Sequence, residues 1–558
     1  MSARVGQVVN LSHISVMVWT LAAAWAGAAT GSTTFTIQIL PGDRSDETIA
    51  WRDVNGDGRK DLVRQANRWL EVYFLDEHHH LSRVPDWRVE MAPPWDLWNF
   101  ADVRPDLPGE ELLALSPQGV GWLSWQRHAT STAQMELLVT ATLPVTSDPR
   151  QARAGQYVVR MAKDRPPDLV LPTRNSMQFW RRASDSGRWQ VAEEVPALLR
   201  PKPWYQVGSS APFLVGFGMP FSPEPSALSP PVPGRLSWRD FQFRLSWAAL
   251  GGWLLDWNHD GRLDWVTSGG PTSGGLKVCL QTPDGRFDRQ RPIFPVWQPA
   301  PAAEEPKRDH PGHFRPRPEP TGTGSSNMGA YEFFNLADVD GDGRLDVVRI
   351  SSLENWASPR THVAVYLQSS EGSFPREPDS TLRVGAVTPT DLLPLVDVDG
   401  DGTLDLLLLR IDLEIASLSS QMKAFVRQGL QTYLGAYLWK KGSGFAKRPA
   451  WEKLVMIGGE MFDFTRDPQP LMQFDHDYTG DGRPDLVLRL TRNTIGIFPL
   501  DPKKGFAEEP MATLQVPFVI DRIECEDFDG DGRNDVLVEG WDPENHERVP
   551  RAVFFGEK

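Results

Sequence analysis

Past residue 34 the chain alternates short apolar runs with polar, glycine-marked turns, a pattern of strands rather than of long amphipathic helices. Six apolar pairs, Leu62-Val63, Trp265-Val266, Val347-Val348, Leu406-Leu407, Leu486-Val487 and Val536-Leu537, each open a run that reads as a buried strand. A second apolar strand follows, at residues 71–75, 276–280, 363–367, 434–438 and 495–498. Four of these lead into a glycine turn and an aromatic residue, Phe287, Phe374, Phe445 or Phe506. Two worn strand pairs, 112–115 with 120–123 and 168–171 with 177–180, fill the gap between the first copy and the next, which makes eight units. Sharing residues 34–558 among eight gives about 66 residues per unit, and this period in short strands predicts one all-β domain, a β-propeller of eight blades rather than seven. The last unit stops at residues 552–555 with no outermost strand, while residues 35–40 form an unassigned strand before the first unit. Pairing the two would cover an open sheet edge. Residues 201–233 and 292–324, rich in Pro, Gly and Ser, read as long surface loops. One helix is expected at residues 412–428, where Ile415, Leu418, Met422, Phe425 and Val426 share a helical face and Asp412 can cap it.

Composition narrows the class. Of 558 residues, 40% are hydrophobic and 23% charged, enough to bury a large core. Glycine (47) and proline (48) make up about 17% of the chain against a usual ~12%, which favours turns over helices. A formal net charge of −15 has the wrong sign for phosphate backbones or anionic membranes, so nucleic acid is disfavoured as a partner. Cys279 and Cys525 lie far apart and outside any CxxC, so two free thiols are expected, with a single bridge as the alternative. Residues 1–30 carry one charge, Arg4, then a largely apolar run at 14–29 ending in Ala24-Trp25-Ala26 and Ala26-Gly27-Ala28. This is the form of a secretion signal peptide, with an uncleaved N-terminal anchor as the alternative. The expected location is extracellular, at the cell surface or periplasmic, where calcium is abundant.

A nine-residue loop, Asp-x-(Asp/Asn/Thr)-x-Asp-Gly-x-x-Asp, precedes each of the six apolar pairs. Its first, third, fifth and ninth positions are Asp53, Asn55, Asp57 and Asp61 in the first copy and Asp256, Asn258, Asp260 and Asp264 in the second. Next come Asp338, Asp340, Asp342 and Asp346, then Asp397, Asp399, Asp401 and Asp405. The last two copies supply Asp477, Thr479, Asp481 and Asp485, and Asp527, Asp529, Asp531 and Asp535. Acids at alternate positions of a tight loop, all facing inward, suit calcium, a hard cation that takes six to eight oxygens in a flexible shell. The seventh residue's carbonyl is a further donor, and glycine at the sixth position permits the sharp turn. The loop is not an EF-hand, because its twelfth position is Arg64, Thr267, Arg349, Leu408, Leu488 or Val538 where that motif needs a bidentate Glu. Magnesium suits it less, since that ion demands strict octahedral geometry. The alternative is a set of Asx-turn loops without metal. Charge favours the metal: the loops hold 21 Asp, and six calcium ions would bring −15 to about −3 and relieve repulsion within each loop.

These loops resemble the FG-GAP and VCBS-type calcium-binding repeats of integrin α-subunit propellers and many secreted bacterial proteins. The resemblance spans nearly all of the chain after the signal. It implies a calcium-bearing propeller used mostly for adhesion or ligand binding, with the loop residues named above as ligands to about six ions. The chain departs from that pattern in lacking clear Phe-Gly and Gly-Ala-Pro signatures and in its two worn loops, so the integrin ligand face does not carry over. No HExxH, GxSxG, GxGxxG or Walker loop is present. The expectation is a non-enzymatic scaffold for an extracellular protein or glycan, with no catalytic or organic-cofactor residues. The alternative is a carbohydrate-active enzyme like the polysaccharide lyases built on such propellers, or a lectin. Its motive is the 22 tryptophans, Trp87, Trp95 and Trp98 among them, although packing between blades is the simpler account. His78-His79-His80 offers imidazoles to a transition metal, but adjacent side chains in a turn diverge, and an exposed polar turn is expected.

Overall fold

The computed structural model describes residues 35–126, 134–143, 152–196, 253–268, 276–293, 332–353, 360–385, 395–411, 429–458 and 472–556, apart from 43, 45–46, 156, 163–164, 174–175, 184–186, 259, 371, 542–544 and 546–547. The signal expected at residues 1–30, the Pro-rich stretches at 201–233 and 294–324, and the helix expected at 412–428 lie outside the described residues.

Among the described residues every regular element is a strand, and the strands build eight main sheets of three to five strands in chain order. The first sheet shows the plan, with Thr48–Arg52, Asp61–Ala66, Trp69–Tyr73 and Trp87–Glu90 pairing antiparallel one after another. The others span residues 97–154, 158–196, 253–279, 332–384, 395–458, 472–515 and 519–556. Two small ribbons, Trp439–Lys440 with Gly444–Phe445 and Leu500–Asp501 with Gly505–Phe506, hold the glycine turns and aromatics that follow a third strand.

Consecutive residues of these strands are apolar because each sheet is covered on both faces, and side chains alternate across a strand. The apolar pair after each loop therefore splits. Leu62 joins Phe528, Leu537 and Phe555 of the eighth sheet, whereas Val63 joins Trp98, Phe100 and Leu112 of the second. Val347 and Val348 divide in the same way between clusters shared with the fourth and the sixth sheets. Eight buried clusters arise, each shared by two consecutive sheets, and one of them joins the first sheet to the eighth. Trp87 and Trp98 are buried in the cluster between the first and second sheets, so their faces serve packing.

The strand at the start of the described chain completes the eighth sheet. Phe35–Ile39 pairs antiparallel with Arg551–Gly556, with Ile37 opposite Phe554 and Ile39 opposite Ala552. Both cysteines are free thiols, Cys279 buried and Cys525 half-buried. No helix among the described residues is long and apolar enough to cross a membrane.

Candidate metal centres

All six acidic loops occupy one place, the hairpin between the first and second strands of the first, fourth, fifth, sixth, seventh and eighth sheets. The ninth Asp opens the second strand and is buried in every copy. Its Oδ2 accepts the amide of the second loop residue, from Val54, Trp257, Val339, Val398, Tyr478 or Phe528, at 2.7–3.0 Å. Its Oδ1 accepts an amide at the end of the third strand, from Leu75, Gln281, Gln368, Trp439, Leu500 or Gly556, at 2.6–3.2 Å. One carboxylate thus ties the loop to a strand two places away in the sheet. Burial pushes these acids up, to about 7 for Asp61, Asp264, Asp346 and Asp405, about 6 for Asp485 and about 8 for Asp535.

The first Asp closes the loop on itself. Its Oδ2 accepts the amide of Gly58, Gly261, Gly343, Gly402, Gly482 or Gly532 at 2.7–3.0 Å. That sixth position is left-handed in every copy, φ +82° to +88°, which is why it is glycine. The fifth Asp, expected to face inward with the others, turns to the seventh residue and accepts its amide at 2.9–3.0 Å. In five loops its other oxygen is ion-paired with the arginine there, Arg59, Arg262, Arg344, Arg483 or Arg533. In four of them the arginine Nε also donates to a carbonyl at the end of the third strand, that of Leu75, Gln281, Gln368 or Gly556, at 2.8–3.2 Å. Sequence reasoning used the seventh residue only as a carbonyl donor and missed this pairing. Its signal was the arginine found there in five of six loops.

Three carboxylates converge where the third position is Asp. The groups are Asp338, Asp340 and Asp346; Asp397, Asp399 and Asp405; and Asp527, Asp529 and Asp535, with one oxygen of each within 4.8 Å of the others. Burial first, and then the neighbouring Asp342 or Asp401, pushes Asp340 and Asp399 up from the usual carboxylate range. Asp340 Oδ1 is buried with no hydrogen-bond partner, a costly state that a cation among the three carboxylates relieves. The all-oxygen donor set fits a hard cation. In the remaining loops the third side chain bonds within the loop. Asn55 Nδ2 donates to Asp57 Oδ2 at 3.3 Å, Asn258 Nδ2 to Asp260 Oδ2 at 3.0 Å, and Thr479 Oγ1 to Asp477 Oδ1 at 3.1 Å.

The worn loops keep the ninth acid in altered form. Glu111 opens the second strand of the second sheet and accepts the amides of Val103 and Arg104 at 3.0 and 3.1 Å, and burial pushes it up to about 7. Asp168 does so in the third sheet, held by Arg181 at 2.9 Å in place of backbone amides. Neighbouring loops also bond to one another. Glu110 N donates to Asp53 O at 2.8 Å, Leu263 N to Met161 O at 2.9 Å, Leu404 N to Val339 O at 2.9 Å, Asn534 Nδ2 to Asp477 O at 2.7 Å and Lys60 N to Asp529 O at 2.7 Å.

An acidic hairpin repeated at one place in successive sheets defines an all-β repeat protein with, among the described residues, four side-chain groups able to hold a metal ion. The FG-GAP-like repeat model matches residues 338–408 and 477–538, which contain four of the six loops, so the chain carries FG-GAP-type repeats over those residues. No curated protein matches the sequence. Among solved structures the chain is similar to an Agrocybe aegerita lectin that recognises non-reducing terminal N-acetylglucosamine, at 13% identity over 75% of this chain and 81% of that one, TM-score 0.33. It is similar to a biofilm matrix protein of V. cholerae at 11% identity over 92% and 77%, TM-score 0.26. It is also similar to the rhamnogalacturonan lyase YesW at 11% identity over 94% and 73%, TM-score 0.34.

Proposed function

We propose that the chain is an exported, calcium-stapled β-propeller of eight blades over residues 34–558, acting as a non-enzymatic binding or adhesion scaffold for an extracellular protein or glycan. The observation that carries the metal is the convergence of three carboxylates in the loops at 338–346, 397–405 and 527–535, with Asp340 Oδ1 buried and satisfied by no hydrogen bond. The propeller reading is supported by the order of the buried clusters, which run from each sheet to the next and from the eighth back to the first. The repeat family is typical of extracellular proteins, which supports export. Loops joined to one another by backbone bonds form a rigid frame, and recognition surfaces on such frames are built from the connecting segments.

Isothermal titration of calcium into the chelated chain, with a melting curve at each end point, tests the scaffold. Uptake of three or more equivalents with a rise in melting temperature is expected, because a ligand that binds only the folded state stabilises it by mass action. No uptake overturns the reading and leaves the loops as turns. Binding to arrays of glycans and extracellular-matrix proteins, compared in calcium and in chelator, tests the role. Cleavage of an acidic polysaccharide in place of simple binding would move the reading to a lyase.

A further inference from the structure

Of the three consecutive histidines, His78 and His80 are exposed, but His79 turns inward across the seam between the first and eighth sheets. Its ring stacks on Phe555, centroids 5.3 Å apart, and its Nδ1 lies 2.8 Å from Asp529 Oδ2. The Asp529 side chain is 1% exposed. Both atoms are buried and face each other as an imidazole–carboxylate pair. Asp531 completes a group in which one ligating atom of each residue lies within 4.8 Å of the others, and Arg533 bonds one oxygen of Asp531 through its amide and the other through its guanidinium. His79 also sits in the left-handed region, φ +59°. The matching turns of the fourth and fifth sheets, closed by the same backbone bond, carry Gly285 and Gly372 there.

We propose that His79, Asp529 and Asp531 form a mixed imidazole–carboxylate site for a first-row divalent cation of the zinc type, which joins the first sheet to the eighth. Zinc takes imidazole nitrogen together with carboxylate oxygen, whereas calcium sites are built from oxygen. The loop at 527–535 therefore differs in metal preference from the all-oxygen groups at 338–346 and 397–405. The site shares Asp529 with the calcium reading but does not depend on it, since His79 belongs to none of the nine-residue loops.

The test is zinc titration into the full chain after chelation, with and without saturating calcium. His79→Gly removes the ligand while easing the backbone, and His79→Asn, which tolerates a left-handed φ, is a second variant whose fold is not at risk. A His78→Ala/His80→Ala double variant controls for binding at the exposed rings. The expected result is one zinc equivalent that raises the melting temperature and is kept in the control. In both His79 variants zinc affinity falls at least ~100-fold, with calcium uptake unchanged. Zinc uptake that is absent from the wild-type chain, unchanged in the His79 variants, or lost in the control overturns the proposal. Calcium uptake that fails while the zinc site stands overturns the calcium reading alone.

Discussion

Calcium added to the chelated protein at pH 7 should drive protons into the buffer, because the ninth acid of each loop holds one for part of the time. Burial sets Asp61, Asp264, Asp346 and Asp405 at about 7, Asp485 at about 6 and Asp535 at about 8. At pH 7 the first four are half protonated, Asp485 is almost fully ionised and Asp535 almost fully protonated. A cation among the carboxylates requires them ionised, so filling six loops releases about three protons per molecule at pH 7 and close to none at pH 9. Titration calorimetry in two buffers of different ionisation heat reads that number directly. Asp535→Asn should remove nearly one proton from it, and Asp485→Asn almost nothing. Calcium uptake at pH 7 with less than about one proton released, or with the same release at pH 9, would refute the reasoning. The ninth acids would then be ionised before the ion arrives, or the ion would sit away from them.

The same acids set a pH dependence of stability. Their folded values lie above the ordinary 3.8, so their contribution is whole below that value and is lost as pH rises through 6 to 8. The melting temperature of the metal-free chain should fall between pH 5 and 8.5, and calcium should flatten the slope; differential scanning calorimetry in chelator and in calcium checks both. A methyl group on Gly341 would stand 2.5 Å from the Gly402 carbonyl oxygen of the next loop, whereas one on Gly343 meets nothing within 4 Å and suffers only its φ of +87°. In urea melts Gly341→Ala should cost ~2–3 kcal/mol and Gly343→Ala ~1 kcal/mol, and the reverse order would deny that loops abut through backbone. Arg344→Ala removes the ion pair with Asp342 and the 2.9 Å bond to Gln368 O, for an expected loss of ~1–2 kcal/mol whether or not calcium is present. A loss seen only in calcium would make Arg344 part of the metal site.

The strands and the six loops are legible in sequence because both rest on local rules. A left-handed turn needs glycine at the sixth position, and a strand covered on both faces needs consecutive apolar residues such as Leu62 and Val63. The closing strand is legible too, since residues 35–40 lacked a partner and the last unit lacked an outer strand. What the pattern hides is whatever one loop receives from elsewhere. Glu111 escapes notice because its loop is one residue longer than the rest, which shifts the ninth acid out of register while Val103 and Arg104 still find it. In five loops the fifth Asp is paired with an arginine two residues on, and no spacing reveals the reach of Arg344 to the third strand. His79 is the extreme case, an imidazole lying among acids some 450 residues further along the chain.

The acids of one loop divide into those that build it and those left over. The first and ninth are bonded to backbone amides in all six copies, whatever residue stands third, so the hairpin is held without an ion. The worn loops agree: Glu111 and Asp168 keep the ninth acid where the alternating carboxylates before it are gone. The third residue divides the copies by what its side chain meets: Asn55, Asn258 and Thr479 donate to another side chain of the loop, whereas Asp340, Asp399 and Asp529 converge on the first and ninth acids. Retention of the ninth acid therefore speaks for the fold, and a carboxylate at the third position speaks for the metal. The loops of the fifth and sixth sheets should fill first in a calcium titration. The loop of the seventh should fill last, since Thr479 brings a neutral hydroxyl where the others bring a charge or an amide oxygen.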